Sequence, residues 1–196
     1  MDFFCAVRQI YLHDDFFSAD RSWTGRVVIS EMVLSGFGDV GVNTSFWFGL
    51  EPLYQLTSNG GYTRMRVEIY ANDSAWYSAE YDHFLVHNES TGYQLSISGY
   101  SGDAGNHLEL NNGETFSSFD HGTHSSLALT TQGGWWYSDW FNFANLNGAY
   151  QFTIMSPSTG FYWNCSFCYQ PPPTMASLVD IRPGRLLMSR IMITRP

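Results

Sequence analysis

No lysine occurs among these 196 residues: all nine basic side chains are arginine, set against 18 acidic ones for a formal charge of −9. Between Val67 and Ile181 lie eleven carboxylates with neither Lys nor Arg among them. A stretch of that sign repels phosphate and anionic lipid, which excludes nucleic acid and speaks against a membrane surface. Charge of either sign is scarce, at 14% of residues, while aromatics reach 17%. A disordered protein has the opposite balance. Long apolar runs are missing as well. None approaches the roughly 20 residues of a membrane helix, and the Phe3-to-Val7 run is closed off by Asp2 and Arg8. The first residues do not set positive charge ahead of about 7–15 apolar ones, as a secretory leader would. Cysteine is sparse too, with only Cys5, Cys165 and Cys168. An odd number cannot close a self-contained disulfide framework. The C-x-x-C of Cys165 and Cys168 lacks the second pair a zinc site needs, and reads as two thiols or one local bridge.

Catalytic signatures are absent in the same way. His83 and His87 lie four apart, but in a segment that reads as strand and without the Glu of a helical zinc motif. No G-x-S-x-G elbow occurs, and no cysteine stands in a nucleophile context. The acidic excess reads as a solubility field, and the protein is expected to be non-enzymatic.

The pattern that is present changes along the sequence. Residues 1–34 carry Asp14-Asp15 and Asp20 and show no clear period. Leu50, Leu53, Tyr54 and Leu56 then have near-helical spacing, with Pro52 suited to the first turn. Met65, Val67 and Ile69 alternate with Arg64, Arg66, Glu68 and Tyr70, a half-buried strand. A turn over 71–74 leads to a second strand from Trp76, and runs at 83–87 and 93–97 extend an antiparallel meander. From Gly99 to Gly148, Gly, Ser, Asn and aromatics replace regular pattern. So long a loop region inside a compact domain is functional or held by a ligand. Trp135 and Trp136 are too costly to leave bare, so those loops must cover them. A closing strand is expected over 177–181. The last residues, where Arg185, Arg190 and Arg195 space Leu186, Leu187, Met188, Ile191, Met192 and Ile193, read as a weak amphipathic helix or a disordered tail. Asn-X-Ser/Thr sequons stand at Asn43, Asn72, Asn88 and Asn164, against about two expected by chance.

Seven segments in order, SGFGDV (35–40), FWFGLEPLYQLTS (46–58), YSGDAGNHL (100–108), FSSFD (116–120), GGWWY (133–137), NLNGAY (145–150) and DIRP (180–183), resemble the fibrinogen C-terminal domain family. That family takes in fibrinogen chains, ficolins, tachylectins, angiopoietins and tenascins. The resemblance implies an α+β fold, a twisted and mainly antiparallel sheet with short helices and a loop-rich binding subdomain. It divides the sequence into an atypical or truncated segment 1–34, a domain 35–183 and a basic amphipathic tail 184–196. It also implies an extracellular, non-catalytic recognition module for acetylated sugars or similar small ligands, with an acetylated glycan or a cell-surface or matrix protein as partner. A receptor- or matrix-binding protein module, or a degenerate structural domain, are the alternatives.

Three departures from the family pattern stand out. Its opening segment and first disulfide are not recognisable in residues 1–34. The cysteines of its second disulfide are replaced by Leu127 and Trp140, an apolar pair that can fill the same space. Its calcium loop keeps the first ligand as Asp120 but has Gly122 where a second carboxylate belongs, with the His124 backbone carbonyl as a further ligand. A hard cation wants 6–8 oxygens, so calcium binding is expected to be weak or lost. The resemblance places a ligand pocket at Tyr137, Trp140, Phe141 and Asn145.

Overall fold

The computed structural model describes residues 4–10, 34–38, 46–71, 73–139, 144–148, 161–163 and 186–196. Its centre is a seven-stranded sheet ordered β2-β3-β1-β9-β4-β5-β6, with every described pairing antiparallel. The strands are β1 (Phe4–Ile10), β2 (Phe37–Gly38), β3 (Phe46–Trp47), β4 (Arg64–Ala71), β5 (Trp76–Val86), β6 (Leu95–Gly102) and β9 (Leu186–Thr194). A separate two-stranded ladder joins β7 (Ala144–Asn145) to β8 (Tyr162–Trp163). Two helices, α1 (Leu50–Ser58) and α2 (Ser125–Thr131), and 3-10 turns at Glu89–Thr91 and Glu109–Asn111 complete the described elements. This is the α+β architecture anticipated above.

The local signals explain the meander. In β4 each apolar side chain alternates with a half-exposed one, so Met65, Val67, Ile69 and Ala71 face the core. The strand from Trp76 does not stop at Tyr81 but continues unbroken to Val86, which absorbs the run expected separately at 83–87. Helix α1 buries Leu50, Leu53 and Thr57, one stripe at helical spacing. Thr57 fixes the helix to the sheet: its Oγ1 accepts a hydrogen bond from the Val86 N–H at 3.3 Å and donates to the Leu53 carbonyl at 2.9 Å.

Both ends of the sequence overturn their expectations. Residues 4–10, without a legible period, form β1 between β3 and β9, in register from Phe4 opposite Ile193 to Ile10 opposite Met188. Residues 186–194, read as helix or disorder, form β9, paired on its other side with β4 from Arg64 opposite Thr194 to Ala71 opposite Leu186. Buried Leu186, Ser189, Ile191 and Ile193 face inward. The residues called a tail are an interior strand, because β-branched Ile191 and Ile193 alternate with Arg190 and Met192 and find a ladder on both sides. The strand expected at 177–181 lies outside the described residues.

On the opposite face a polar ladder crosses three strands. Arg66 bonds Glu80 at 2.6 Å and Glu68 at 2.7 Å, and Arg190 pairs with Glu68 in turn. The Arg190 guanidinium also lies over the Trp76 ring, 5.1 Å from its centroid. These partly screened pairs select register more than they add stability.

A loop face built on buried tryptophans

Among the described residues from Asp103 to Gly148 there is little regular structure, so their order must come from side chains. The short helix α2 is not foreshadowed by any period there. Leu127 on it is half-buried and packs against the core, while Trp140, the other residue the resemblance sets against a cysteine, lies outside the described residues. Trp135, Trp136 and Tyr137 are at most 3% exposed, so the loops cover them as the composition required. The Trp136 indole N–H donates to the Tyr93 carbonyl at 2.8 Å, and its ring meets Phe116 edge-on at 5.0 Å. The two glycines ahead of the tryptophans make that packing possible. A Cβ on Gly133 would come within 2.2 Å of the Asn147 carbonyl oxygen, and one on Gly134 within 2.7 Å of the Phe116 ring. Thus GGWWY and NLNG touch backbone to backbone, and the Asn147 amide donates to the Gly134 carbonyl at 3.0 Å.

Of the four residues assigned to a ligand pocket, Trp140 and Phe141 lie outside the described residues. The other two come together but not at a surface. Tyr137 and Asn145 are each 0% exposed, and Asn145 Nδ2 donates to the Tyr137 hydroxyl at 3.4 Å. The same hydroxyl donates to the Gly133 carbonyl and lies beside Thr131 Oγ1, both at 2.5 Å. Burial pushes it well above the usual phenol range, while its bonds to Thr131 and Asn145 act in the other direction. Among the described residues, these two side chains are buried and are tied to Gly133 and Thr131. Thr131 and Asn111, whose amide donates to the Trp136 carbonyl at 2.6 Å, are buried as well. No sequence signal marks them, since their partners are neighbours only in space.

The calcium-loop residues occupy a turn closed on itself. Ser117 and Trp135 exchange backbone hydrogen bonds at 2.9 and 3.0 Å, so the FSSFD segment is tied to GGWWY. Ser118 and His121 form a second bridge, and Ser118 Oγ donates to Asp120 Oδ1 at 2.7 Å. Gly122, at the second carboxylate's position, has φ +97°, and a Cβ there would lie 2.5 Å from Ser117 Oγ and 2.7 Å from the Phe116 carbonyl oxygen. The His124 carbonyl, expected as a calcium ligand, accepts from the Leu127 and Ala128 N–H groups at 3.0 and 3.1 Å. That carbonyl thus takes part in the first turn of α2. Of the carboxylate positions in this turn, Asp120 is present and exposed. Among the described residues, no three His, Cys, Asp or Glu side chains come together in a way that could hold a metal.

His124 Nε2 approaches Asp139 Oδ1 at 3.6 Å, linking this turn to the residue after Ser138. Nearby Glu114 is raised by burial and by Asp139, with His124 opposing. Of the four sequons, Asn88 is exposed, and its Oδ1 accepts from Ser90 Oγ at 2.7 Å. Asn43, Asn72 and Asn164 lie outside the described residues, as do Cys165 and Cys168.

Residues 31–169 match the family described as fibrinogen beta and gamma chains, C-terminal globular domain. Among curated proteins, tenascin of Gallus gallus is 36% identical over 140 residues, 70% of this protein and 7% of tenascin. Techylectin-5A of Tachypleus tridentatus is 40% identical over 119 residues, 59% of this protein and 39% of its own length. Angiopoietin-related protein 6 of Homo sapiens is 38% identical over 120 residues, 59% and 24% respectively. The match therefore spans less than half the length of these relatives. Among solved structures, the fibrinogen-like globe domain of human ANGPTL6 superposes with a TM-score of 0.75 at 25% identity, covering 99% of this protein and 78% of that one. The lamprey fibrin D-dimer in complex with the peptide Gly-His-Arg-Pro-amide gives 0.72 at 23% identity, over 98% and 61%, a likeness of fold.

Proposed function

This protein belongs to the family of C-terminal globular domains of the fibrinogen beta and gamma chains, whose members are non-catalytic binding modules, and on that premise we propose that it is an extracellular recognition module whose loop face takes small acetylated ligands, acetylated sugars foremost, independently of calcium. The observation that carries this reading is the buried Trp135-Trp136-Tyr137 segment, hydrogen-bonded to Ser117, Tyr93 and Asn145. A face held this rigidly from behind loses little ordering entropy when a ligand arrives, which is what a weak small-ligand site requires. Calcium independence is supported by the self-closed Ser118–His121 turn and by the engaged His124 carbonyl. The neutral character of an acetamide suits a region without Lys or Arg between Val67 and Ile181.

The test is an array of acetylated and matching non-acetylated glycans probed in calcium and again in excess chelator. We expect retention on the acetylated members, unchanged by the chelator. Absence of binding to any acetylated member would overturn the ligand class, and binding abolished by the chelator would overturn the calcium reading.

One observation favours a second reading. Tyr137 and Asn145 are wholly buried, which suits a flatter face contacting a matrix or receptor protein. Capture of a matrix protein together with a silent glycan array would select it.

A further inference from the structure

A separate cleft of about 150 Å3 opens between the start of α1, the Glu89–Thr91 turn and the Ser118–His121 turn. Leu34, Leu50, Tyr93 and Phe116 wall it, with Glu89 and His121 exposed at its rim. Two of the four walls are aromatic, and the described lining contains no Lys or Arg.

The charge balance at this place has a definite sign. Glu89 stands on the rim, and Glu51 Oε2 accepts a hydrogen bond from the Tyr93 hydroxyl at 3.0 Å. Burial raises the pKa of that hydroxyl, and the charges of Glu51 and Glu89 both raise it further, which places two carboxylates within electrostatic reach of the same wall. The N-terminus of α1 opposes them, but a helix end is equivalent to roughly half a positive charge, and Glu51 sits in that first turn. Two full negative charges outweigh it. Negative potential over aromatic faces, with aliphatic walls beside them, suits a cation that carries its own apolar surface.

We propose that this cleft binds a small organic cation, an ammonium group substituted with alkyl carbons, of about the size of choline. The ring faces of Tyr93 and Phe116 receive the alkylated head, Leu34 and Leu50 cover its carbons, and Glu89 closes the rim as counter-ion. A metal ion is poorly served here, because most of the lining offers carbon. The site does not depend on the acetyl-ligand reading, and the two stand or fall by different probes.

Choline titrated into the whole protein and followed by amide NMR tests it, with the neutral isostere carrying a tert-butyl group in place of trimethylammonium as control. We expect saturable shifts centred on Gly92, Tyr93 and His121, with the isostere weaker by about fivefold or more. Glu89→Gln, at an exposed position, should weaken choline by roughly threefold and leave the isostere unchanged. His121→Arg, which sets a cation on the exposed opposite rim, should weaken choline by about tenfold. Absence of saturable shifts at the cleft, equal affinity for the isostere, or choline binding indifferent to both substitutions would each overturn the proposal.

Discussion

Gly122→Ala adds a single methyl group at the point where the turn and the GGWWY segment are joined. The backbone at Gly122 has φ +97°, a region that costs a side-chain-bearing residue about 1–3 kcal/mol. The new Cβ would also meet Ser117 Oγ at 2.5 Å, the Phe116 carbonyl oxygen at 2.7 Å and Ser117 Cα at 2.8 Å. Two of those three atoms are backbone, and the Phe116–Ser117 segment is held by its bridge to Trp135, so it cannot simply swing away. Overpacking of this kind costs about 1–3 kcal/mol, and the two effects together predict a loss of about 2–6 kcal/mol. Urea unfolding should show it as a lower midpoint at unchanged slope. Gly122→Asp, which formally restores the second calcium carboxylate, should lose a similar amount and regain none of it in calcium. A functioning site at 100 times its dissociation constant would return about 2.7 kcal/mol. A loss below about 0.5 kcal/mol in Gly122→Ala, or a calcium-dependent recovery in Gly122→Asp, would refute the reasoning that this turn has a conformation only glycine permits.

Further outcomes follow from the rest of the fold. Ile193→Ala removes a side chain that is 0% exposed in β9, and should cost about 2–5 kcal/mol by urea unfolding; a near-neutral result would mean that β9 is not an interior strand. Tyr137→Phe leaves the Gly133 carbonyl and the Asn145 amide without their buried partner, with an expected loss of about 1–3 kcal/mol in the same assay and no change in choline binding. His107 is 5% exposed, and burial pushes its imidazole down to about 4. The unfolded state therefore takes up this proton more readily than the folded one, so the stability contribution is complete above about pH 6.5. It is lost as pH falls from there to about 4, amounting to roughly 3 kcal/mol; unfolding midpoints across that window should lose part of their slope in His107→Phe. Expression through a secretory pathway should attach glycan at Asn88, seen as a mass decrease on Asn88→Gln, since its side chain is exposed and bonded to Ser90.

How much of this was legible in the residues differs from element to element. The β4 alternation and the α1 stripe were readable because each element faces the core on one side and something else on the other, which writes a period into the sequence. Strands β1 and β9 are harder to read. In β9 the alternation of Ile191 and Ile193 with Arg190 and Met192 is short and is blurred by apolar Leu187, Met188 and Met192 on the half-exposed face, and its register with β1 joins Phe4 to Ile193 across nearly the whole sequence. Both also lie outside residues 31–169, where the family pattern matches, so neither local period nor resemblance could place them. The site divides in the same way. The glycine and tryptophan segments identified the face, and Gly122 already removed one calcium carboxylate. That the His124 carbonyl is committed to α2, and that Tyr137 and Asn145 point inward, were readable nowhere in the sequence.

The order of residues by itself determined the family, the meander and the negative field, because each depends on residue type, spacing or charge sign along the sequence. Only the tertiary structure decided which strands lie at the centre of the sheet, which carbonyl groups helix α2 engages and which aromatics line a cleft. Those depend on what approaches a side chain from elements far away in sequence. Burial and hydrogen-bond commitment are properties of the pair, and a single residue carries no mark of its partner.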